Sequence, residues 1–423
     1  MVAGTGPPDI VYVPNWTSNV EIFWEGKPFG RLIRRLSTLG RVIIFDQPGN
    51  GLSDPVPLGD LPTMEQWMDD VRVVMDAASC EQACMVAPDS AASLALLFAA
   101  THPERTKAIV LINGFARYLR ETDYPWGFPR PAIDSWLEIW GTGRQLSITA
   151  PSVVDDEREV RAMARAERHS ASPAVARAFF RLISEIDVRH VLAAVHVPTL
   201  VLHTAGNRWI RAGHGRYLSE KIEGARYVEI PGEDHHIFYG EMEPYIHEIQ
   251  EFLEGAGAAP DEPDRVLATL MFTDIVDSTR AAIELGDGRF KDMLDEHDQF
   301  VRLQLDRFRG QEVNTTGDGF LASFDGPARA IKCAGAIRQG ARSLGIELRV
   351  ALHTGECEIR KDGIGGIAVH IAARVLGESA PGEILVSSTV KDLVAGSGFV
   401  FEDRGIRTLK GVPDQWRLFA VEA

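Results

Sequence analysis

Residues 254 to 264 read EGAGAAPDEPD, and there the hydrophobic periodicity that runs through the rest of the chain stops. Small residues, proline and acids offer neither a stripe for a helix nor an alternating face for a strand, so the stretch reads as a linker. It divides the 423 residues into lengths of roughly 255 and 160, each an ordinary domain size. One core over the whole length is excluded, because single cores stop growing beyond about 250–300 residues. No internal repeat and no low-complexity tract competes with this two-part division.

The first part, 1–253, alternates short apolar runs with helical patterns: DIVYVP, RVIIFD, ACMVAP, AIVLIN, TLVLHT and RYVEIP. Runs apolar on both faces and separated by helices predict an α/β domain with a mostly parallel sheet covered on both sides. Between AIVLIN and TLVLHT lie roughly eighty residues rich in helix formers, with Trp126, Trp136 and Trp140 near their start. That is too long for a loop and predicts a helical cap over about 115–190.

The second part, 265–423, reads as strand (266–273), helix (about 288–308), strand (311–315), turn, strand (319–324), helix (326–343) and strand (347–354), with a further helix at 366–377. This βαββαβ order predicts an α+β, ferredoxin-like sheet. In such a sheet the first and third strands are antiparallel neighbours. Asp274, at the end of the first, then lies beside Asp318, in the turn of VNTTGDGFLASF that precedes the third. Asp-Gly between apolar strands is a hairpin signal by itself, so Asp318 has a plain turn role as well as a chemical one. Asp274 likewise could serve only to start a turn, with Ser278 or Thr279 capping the next helix. Two carboxylates brought together without an evident basic partner repel each other unless a cation sits between them. Hard divalent cations, Mg²⁺ or Mn²⁺, suit that oxygen pair, with phosphate oxygens completing the shell. On the later helix His370 and Arg374 share one face, either as a surface pair beside a buried stripe of Ile367, Ile371 and Val375 or as donors aimed at phosphoryl charge.

Composition narrows the partners. A formal net charge of -16 disfavours nucleic acid and anionic membrane surfaces, so a phosphate-bearing substrate needs a local device. No GxxxxGK[ST] loop supplies it. The four cysteines make neither a CxxC pair nor a disulfide framework, and the longest apolar run, LALLFAA, is too short to span a bilayer. The expectation is a cytoplasmic protein.

FTDIVDST, TTGDGFLASF and HTGE…GGIAVHIAARV together resemble the three motif blocks of the class III adenylyl and guanylyl cyclase catalytic domain, over essentially 265–423. The resemblance implies that Asp274 and Asp318, with the backbone carbonyl of Ile275, carry two metal ions per active site. It implies attack of the ribose 3'-hydroxyl of ATP on the α-phosphorus, with release of pyrophosphate. Arg374 matches the family's transition-state arginine, His370 stands where the pattern has asparagine, and Lys410 in TLKG matches a contact to the terminal phosphates. Family sites form across a homodimer. The adenine-reading lysine falls at Asn314 and the adenine-reading aspartate at Gly363, with Asp362 adjacent, and the guanine-reading glutamate and cysteine are absent too. Loss of a charged reading partner costs about ten- to a hundredfold in discrimination, so ATP is the expected substrate with GTP incompletely excluded.

FDQPGNGLSD, LLFAATHPERTKAIVLING and VPTLVLHTAGNRW…IPGEDHH resemble the α/β-hydrolase fold over about 8–255. Where the family has its GxSxG elbow this chain has APDSA, with Asp89 at the nucleophile position and Ser90 one place late. An aspartate there is similar to haloalkane dehalogenases and epoxide hydrolases. Asn15 and Trp16 fall near the oxyanion-hole positions, and His235 matches the family's base. Asn207 stands where the orienting acid is expected, and the alternative acid position is Asn113. Asparagine holds an imidazole but does not stabilise an imidazolium, a change that costs about four orders of magnitude in the type case. Three readings follow: a pocket that senses a small molecule without turning it over and controls the cyclase domain; a hydrolase using Asp89 and His235, with the cyclase domain serving only dimerisation; or, from the altered purine pair, a binding protein with no catalysis.

Overall fold

The computed structural model describes residues 1–255, 264–315, 317–360 and 363–422. They form two compact units that divide within 256–263. Most of the expected linker therefore lies outside the described residues, and its first two positions differ from expectation. Glu254 and Gly255 close the helix Glu243–Gly255, whose buried face of Tyr245, Ile246 and Ile249 carries the helical register to its end.

In the first unit the strands are β1 (Val2–Ala3), β2 (Asp9–Tyr12), β3 (Arg41–Ile44), β4 (Ala83–Pro88), β5 (Thr106–Ile112), β6 (Thr199–Thr204) and β7 (Arg226–Ile230), in the spatial order β1-β3-β2-β4-β5-β6-β7. All neighbours are parallel except β1 with β3. The six apolar runs are six of these strands; β1 is too short to carry a periodic signal. Ile10, Val86, Val110 and Leu202 pack against Leu32, Ile33 and Leu36 of helix Lys27–Leu36 and Ile246 and Ile249 of the last helix. The intervening Val11, Met85 and Leu111 are equally buried, so both sheet faces are covered. Helix Ala91–Thr101 is buried at every position, which explains why its sequence shows no polar stripe.

Between β5 and β6 run the cap helices Arg130–Glu138, Leu146–Thr149, Glu157–Ser170 and Pro173–Glu185. Asp156 caps the third through the Arg158 amide at 2.8 Å, and Ser172 caps the fourth through Val175. Asn19 Nδ2 donates to the His169 carbonyl and the Gly51 amide to that of Ser170, so loops after β2 and β3 tie the cap to the sheet.

The second unit contains β8 (Arg265–Ile275), β9 (Gln311–Thr315), β10 (Phe320–Phe324), β11 (Leu348–Arg360), β12 (Gly363–Gly365), β13 (Ile384–Ser387), β14 (Val400–Arg407) and β15 (Trp416–Glu422). The order is β14-β15-β13-β11-β8-β10-β9, with β12 paired to β11. Its β11-β8-β10-β9 portion is the expected ferredoxin-like arrangement. Helices Asp287–Arg307 and Pro327–Ser343 lie on one face, with Val301, Leu305, Ile331 and Ile337 against Met271, Phe320 and Leu352. Helix Ile367–Glu378 lies on the other, Ala368 and Ala372 meeting Leu270 and Leu321. A short helix, Ser278–Leu285, is an addition to the expected order. Its N-cap is Asp277 at φ 53, so Ser278 and Thr279 lie inside it and do not cap the next helix.

Candidate functional sites

The second unit gathers its chemistry at one end of β8. In the β8–β10 ladder Leu321 faces Phe272, and the Phe320 amide donates to Thr273 Oγ1 at 3.1 Å. The paired residues run from Phe324–Thr269 to Leu321–Phe272, and the same antiparallel register continued toward the turn would set Asp274 beside Gly319 and Ile275 beside Asp318. Gly317, at φ 73, gives the backbone the turn that returns the chain into β10. Carried that far, the register leaves the two aspartates and the Ile275 carbonyl at one sheet end, and carboxylate and carbonyl oxygens are the donor types that Mg²⁺ or Mn²⁺ takes. Among the described residues no group of three or more His, Cys, Asp and Glu side chains is arranged around a metal position.

Asp274 does have a basic partner, contrary to the sequence expectation. Arg349 occupies the position opposite it in the β8–β11 ladder and donates from its guanidinium to Asp274 Oδ2. The pairing arises from strand register, which joins in space two residues far apart in sequence. Beneath the Asp318 turn lies His297, fully buried on helix Asp287–Arg307, with its ring 5.9 Å from that of Phe320. Burial lowers its pKa, opposed by Asp298 and the Asp318 charge, and among the described residues Nε2 has no hydrogen bond.

His370 and Arg374 are both exposed on one face of helix Ile367–Glu378. Ile371 and Val375 are buried beside them, whereas Ile367 is 53 % exposed, so the expected buried stripe begins one turn later. Leu409 and Val412, flanking the exposed Lys410, pack with Ile371 and Val375 and bring that loop to the same helix. Among the described residues no bond joins His370, Arg374 or Lys410 to Asp274 or Asp318 within one chain. The two purine-reading positions are brought near each other: a Cβ on Gly363 would stand 3.1 Å from Val313 Cγ1, next to Asn314 on β9. Gly363 is at φ 130, a conformation open to glycine and strained for aspartate. The adjacent Asp362 lies outside the described residues.

In the first unit β4 ends at Pro88, Asp89 turns at φ 51, and the helix begins at Ala91. This strand–turn–helix is the elbow geometry, with Asp89 at its apex. His235 Nε2 stands 2.8 Å from Asp89 Oδ2, and Asn207 Nδ2 stands 3.1 Å from His235 Nδ1. Asn207 Oδ1 accepts the amides of Trp209 and Ile210 at 2.9 and 3.0 Å, which fixes the orientation of the carboxamide. Its NH₂ must then donate to Nδ1. Nδ1 accepts, so the ring proton sits on Nε2 and is donated to Asp89. A hydrolytic base needs the opposite tautomer, with Nε2 unprotonated.

The expected oxyanion donor is also engaged, since the Trp16 amide donates to Asn15 Oδ1 at 2.7 Å and Ser90 Oγ donates to the same oxygen. Asn113 is no alternative acid: its side chain bonds the Thr204 amide and hydroxyl and the His235 carbonyl, bracing the strand ends. Asn15, Trp16, Asp89 and His235 line a cavity of about 120 Å³, roofed from the cap by Trp136 and Trp140. Trp209 and Glu167 also line it, and neither is among the candidates read from the sequence. Trp209 stands in the quoted HTAGNRW block, whereas nothing local marks Glu167.

A family model for the alpha/beta hydrolase fold matches residues 10–241, and one for the adenylate and guanylate cyclase catalytic domain matches 262–423. Among curated relatives, a pimeloyl-[acyl-carrier protein] methyl ester esterase of Neisseria meningitidis is 23% identical over 271 residues, covering 62% of this chain and 81% of that protein. The Karrikin insensitive 2 receptor CA of Petunia hybrida is 22% identical over 242 residues, covering 56% and 87%. A solved hydrolase from Oleispira antarctica aligns with a TM-score of 0.51 at 17% identity, over 59% of this chain and 93% of that one, and shares the fold. No described helix is long and apolar enough to cross a membrane.

Proposed function

The chain belongs to the alpha/beta hydrolase fold family and carries a C-terminal adenylate and guanylate cyclase catalytic domain, and from that premise we propose that it converts ATP to 3',5'-cyclic AMP and pyrophosphate as a homodimer, its hydrolase-fold unit binding a small molecule without hydrolysing it. The observation that supports the reading is the β8–β10 register, with Leu321 opposite Phe272, whose continuation would set Asp274, Ile275 and Asp318 at one sheet end. These residues would hold two Mg²⁺ or Mn²⁺ ions per active site. Bound there, the cations supply charge neutralisation for the triphosphate and acidify the ribose 3'-hydroxyl.

The chain's own residues do the rest. The 3'-oxygen gives up its proton to water, its bond to the α-phosphorus forms, and the bond from the α-phosphorus to the α–β bridging oxygen breaks, releasing pyrophosphate. Charge that grows on the transferring group needs a fork of fixed donors, the role assigned to Arg374, with His370 one turn away as a second donor. Both are exposed and distant in bonding terms from the aspartates of their own chain, which favours Arg374 of the partner subunit as the completing group. Lys410 is assigned to the terminal phosphates. Arg349 acts through Asp274: by holding Oδ2 it orients the carboxylate and leaves Oδ1 for a cation. Asn314 and Gly363 present no charged group to the base, so ATP is preferred only modestly over GTP.

Hydrolysis is the second reading, favoured by the 2.8 Å Asp89–His235 pair. Against it stand the His235 tautomer and the engaged Trp16 amide. A small-molecule binding role is supported by the aromatic-lined cavity and by the receptor named among the relatives. The deciding experiment is a cyclic nucleotide assay of the full chain with ATP and GTP under Mg²⁺ and Mn²⁺, beside Asp318→Ala. Native protein should yield cyclic AMP, with lower cyclic GMP, and the variant should lose at least a hundredfold, of the order set by removing a transition-state-stabilising group. Absence of both products from the native chain would refute the proposal.

A further inference from the structure

The hydrolase-fold cavity has a second polar group that Asp89, His235 and Asn207 leave unused. Glu167 stands on the cap helix Glu157–Ser170, is 3 % exposed and lines the cavity. Its Oε2 accepts the Gly143 amide at 2.8 Å, while Oε1 has no hydrogen bond among the described residues. Native folds seldom leave a buried polar oxygen idle, so an unpaired one on a residue that lines a cavity points to a partner that enters the cavity. Burial pushes the Glu167 carboxyl up to about 7, against the pull of the Gly143 and Gly141 amides, Arg168 and Gln145. Near neutral pH the group can therefore donate or accept.

The remaining walls limit what the partner can be. Trp16, Trp136, Trp140, Trp209 and Phe23 supply flat apolar faces. Among the described lining residues there is no lysine or arginine, and Asp89 is the other carboxyl, set on the sheet side while Glu167 is on the cap side. A carboxylate or phosphate would meet two acids and no cation. An ammonium would lose its hydration and find Asp89 already bonded to His235. The volume, about 120 Å³, approaches the roughly 150 Å³ of an apolar cavity that holds one benzene ring.

Resting on the reading of this cavity as a binding site and not a hydrolytic one, we infer that Glu167 is the polar anchor of a ligand subsite for a small uncharged molecule, a single ring or comparable apolar body bearing a hydroxyl group that Oε1 engages. The hydroxyl satisfies the idle oxygen, and the indoles hold the body. No covalent step is involved.

The test titrates the full chain with benzyl alcohol, toluene, benzoate and benzylamine, follows quenching of tryptophan fluorescence, and reads cyclic nucleotide output in the same samples. Benzyl alcohol should bind, with benzoate and benzylamine at least about tenfold weaker. In Glu167→Leu the alcohol should lose about tenfold in affinity while toluene loses none, which also reports an intact cavity. Glu167→Gln, which keeps a donor and an acceptor, should retain most of the alcohol's affinity. Tighter binding of benzoate or benzylamine, equal losses of alcohol and toluene in Glu167→Leu, an unchanged alcohol affinity there, or no binding of any probe would overturn the assignment. Binding with the expected preference but without any change in cyclic nucleotide output would support the subsite and separate it from control of the cyclase unit.

Discussion

At the scale of single residues, Asn207 and Glu167 set the behaviour of the hydrolase-fold cavity by where they put protons. Asparagine can only donate to His235 Nδ1 once its oxygen is held by the Trp209 and Ile210 amides. An aspartate there would accept instead. Asn207→Asp should place a proton on His235 Nδ1, donated to the new carboxylate, whereas the native ring carries its proton on Nε2 alone; ¹⁵N chemical shifts of the ring separate the two. A native ring protonated on Nδ1 would contradict the assignment. Glu167 makes a pH-dependent contribution of the opposite sign to an ordinary paired acid. Its folded pKa, about 7, lies above the ordinary glutamate value of 4.5, so the native state binds more protons than the unfolded one between these values. Its burial costs least at acidic pH, and stability is lost as pH rises through that window. Glu167→Gln should therefore gain stability relative to the native chain between pH 5 and pH 8, by about 2–3 kcal/mol, in denaturant titrations of the first unit's transition. No gain with pH would show that the carboxyl ionises normally. Asn207 was legible in the sequence as a missing acid. The proton position was not, because it depends on two backbone amides that hold the carboxamide.

At the scale of elements, the β9–β10 hairpin and the β8–β11 ladder carry the cyclase chemistry. The hairpin was readable from its Asp-Gly signal and flanking alternation, since turn and strand preferences are local. The Arg349–Asp274 pair was not readable, because it depends on which residue of β11 falls opposite the end of β8. Gly317 takes φ 73 with open space around its Cβ position, so alanine there meets no neighbour and incurs only backbone strain. That strain is of order 1 kcal/mol, enough to shift the turn that presents Asp318. Gly317→Ala should lower the cyclase rate several-fold while leaving far-UV circular dichroism unchanged; an unaltered rate would mean that Asp318 position does not limit turnover. The cap helices are the counterpart in the first unit. Their caps, Asp156 and Ser172, are ordinary sequence signals, yet the inward turn of Glu167 depends on the Gly143 amide, which belongs to a different segment.

At the scale of the whole molecule, a site divided between subunits makes a quantitative demand. Asp318→Ala and Arg374→Ala should each be nearly inactive alone. Mixed in equal amounts and allowed to exchange subunits, they should recover up to about a quarter of native activity, because half of the dimers are mixed and each contains one intact site. No recovery after proven exchange would place both groups in one chain's site and overturn the shared arrangement. Legible in the sequence alone were a break into two parts and the two fold classes, together with the candidates Asp274, Asp318, Asp89 and His235. Those come from periodicity, turn chemistry and motif spacing, which are local properties of the chain. Only the tertiary structure decided that Arg349 answers Asp274, that the His235 proton faces Asp89, and that Glu167, with one oxygen unpaired among the described residues, lines the aromatic cavity. Hydrogen bonds are directional and reach about 3 Å, so their partners are settled by strand register and packing between distant segments.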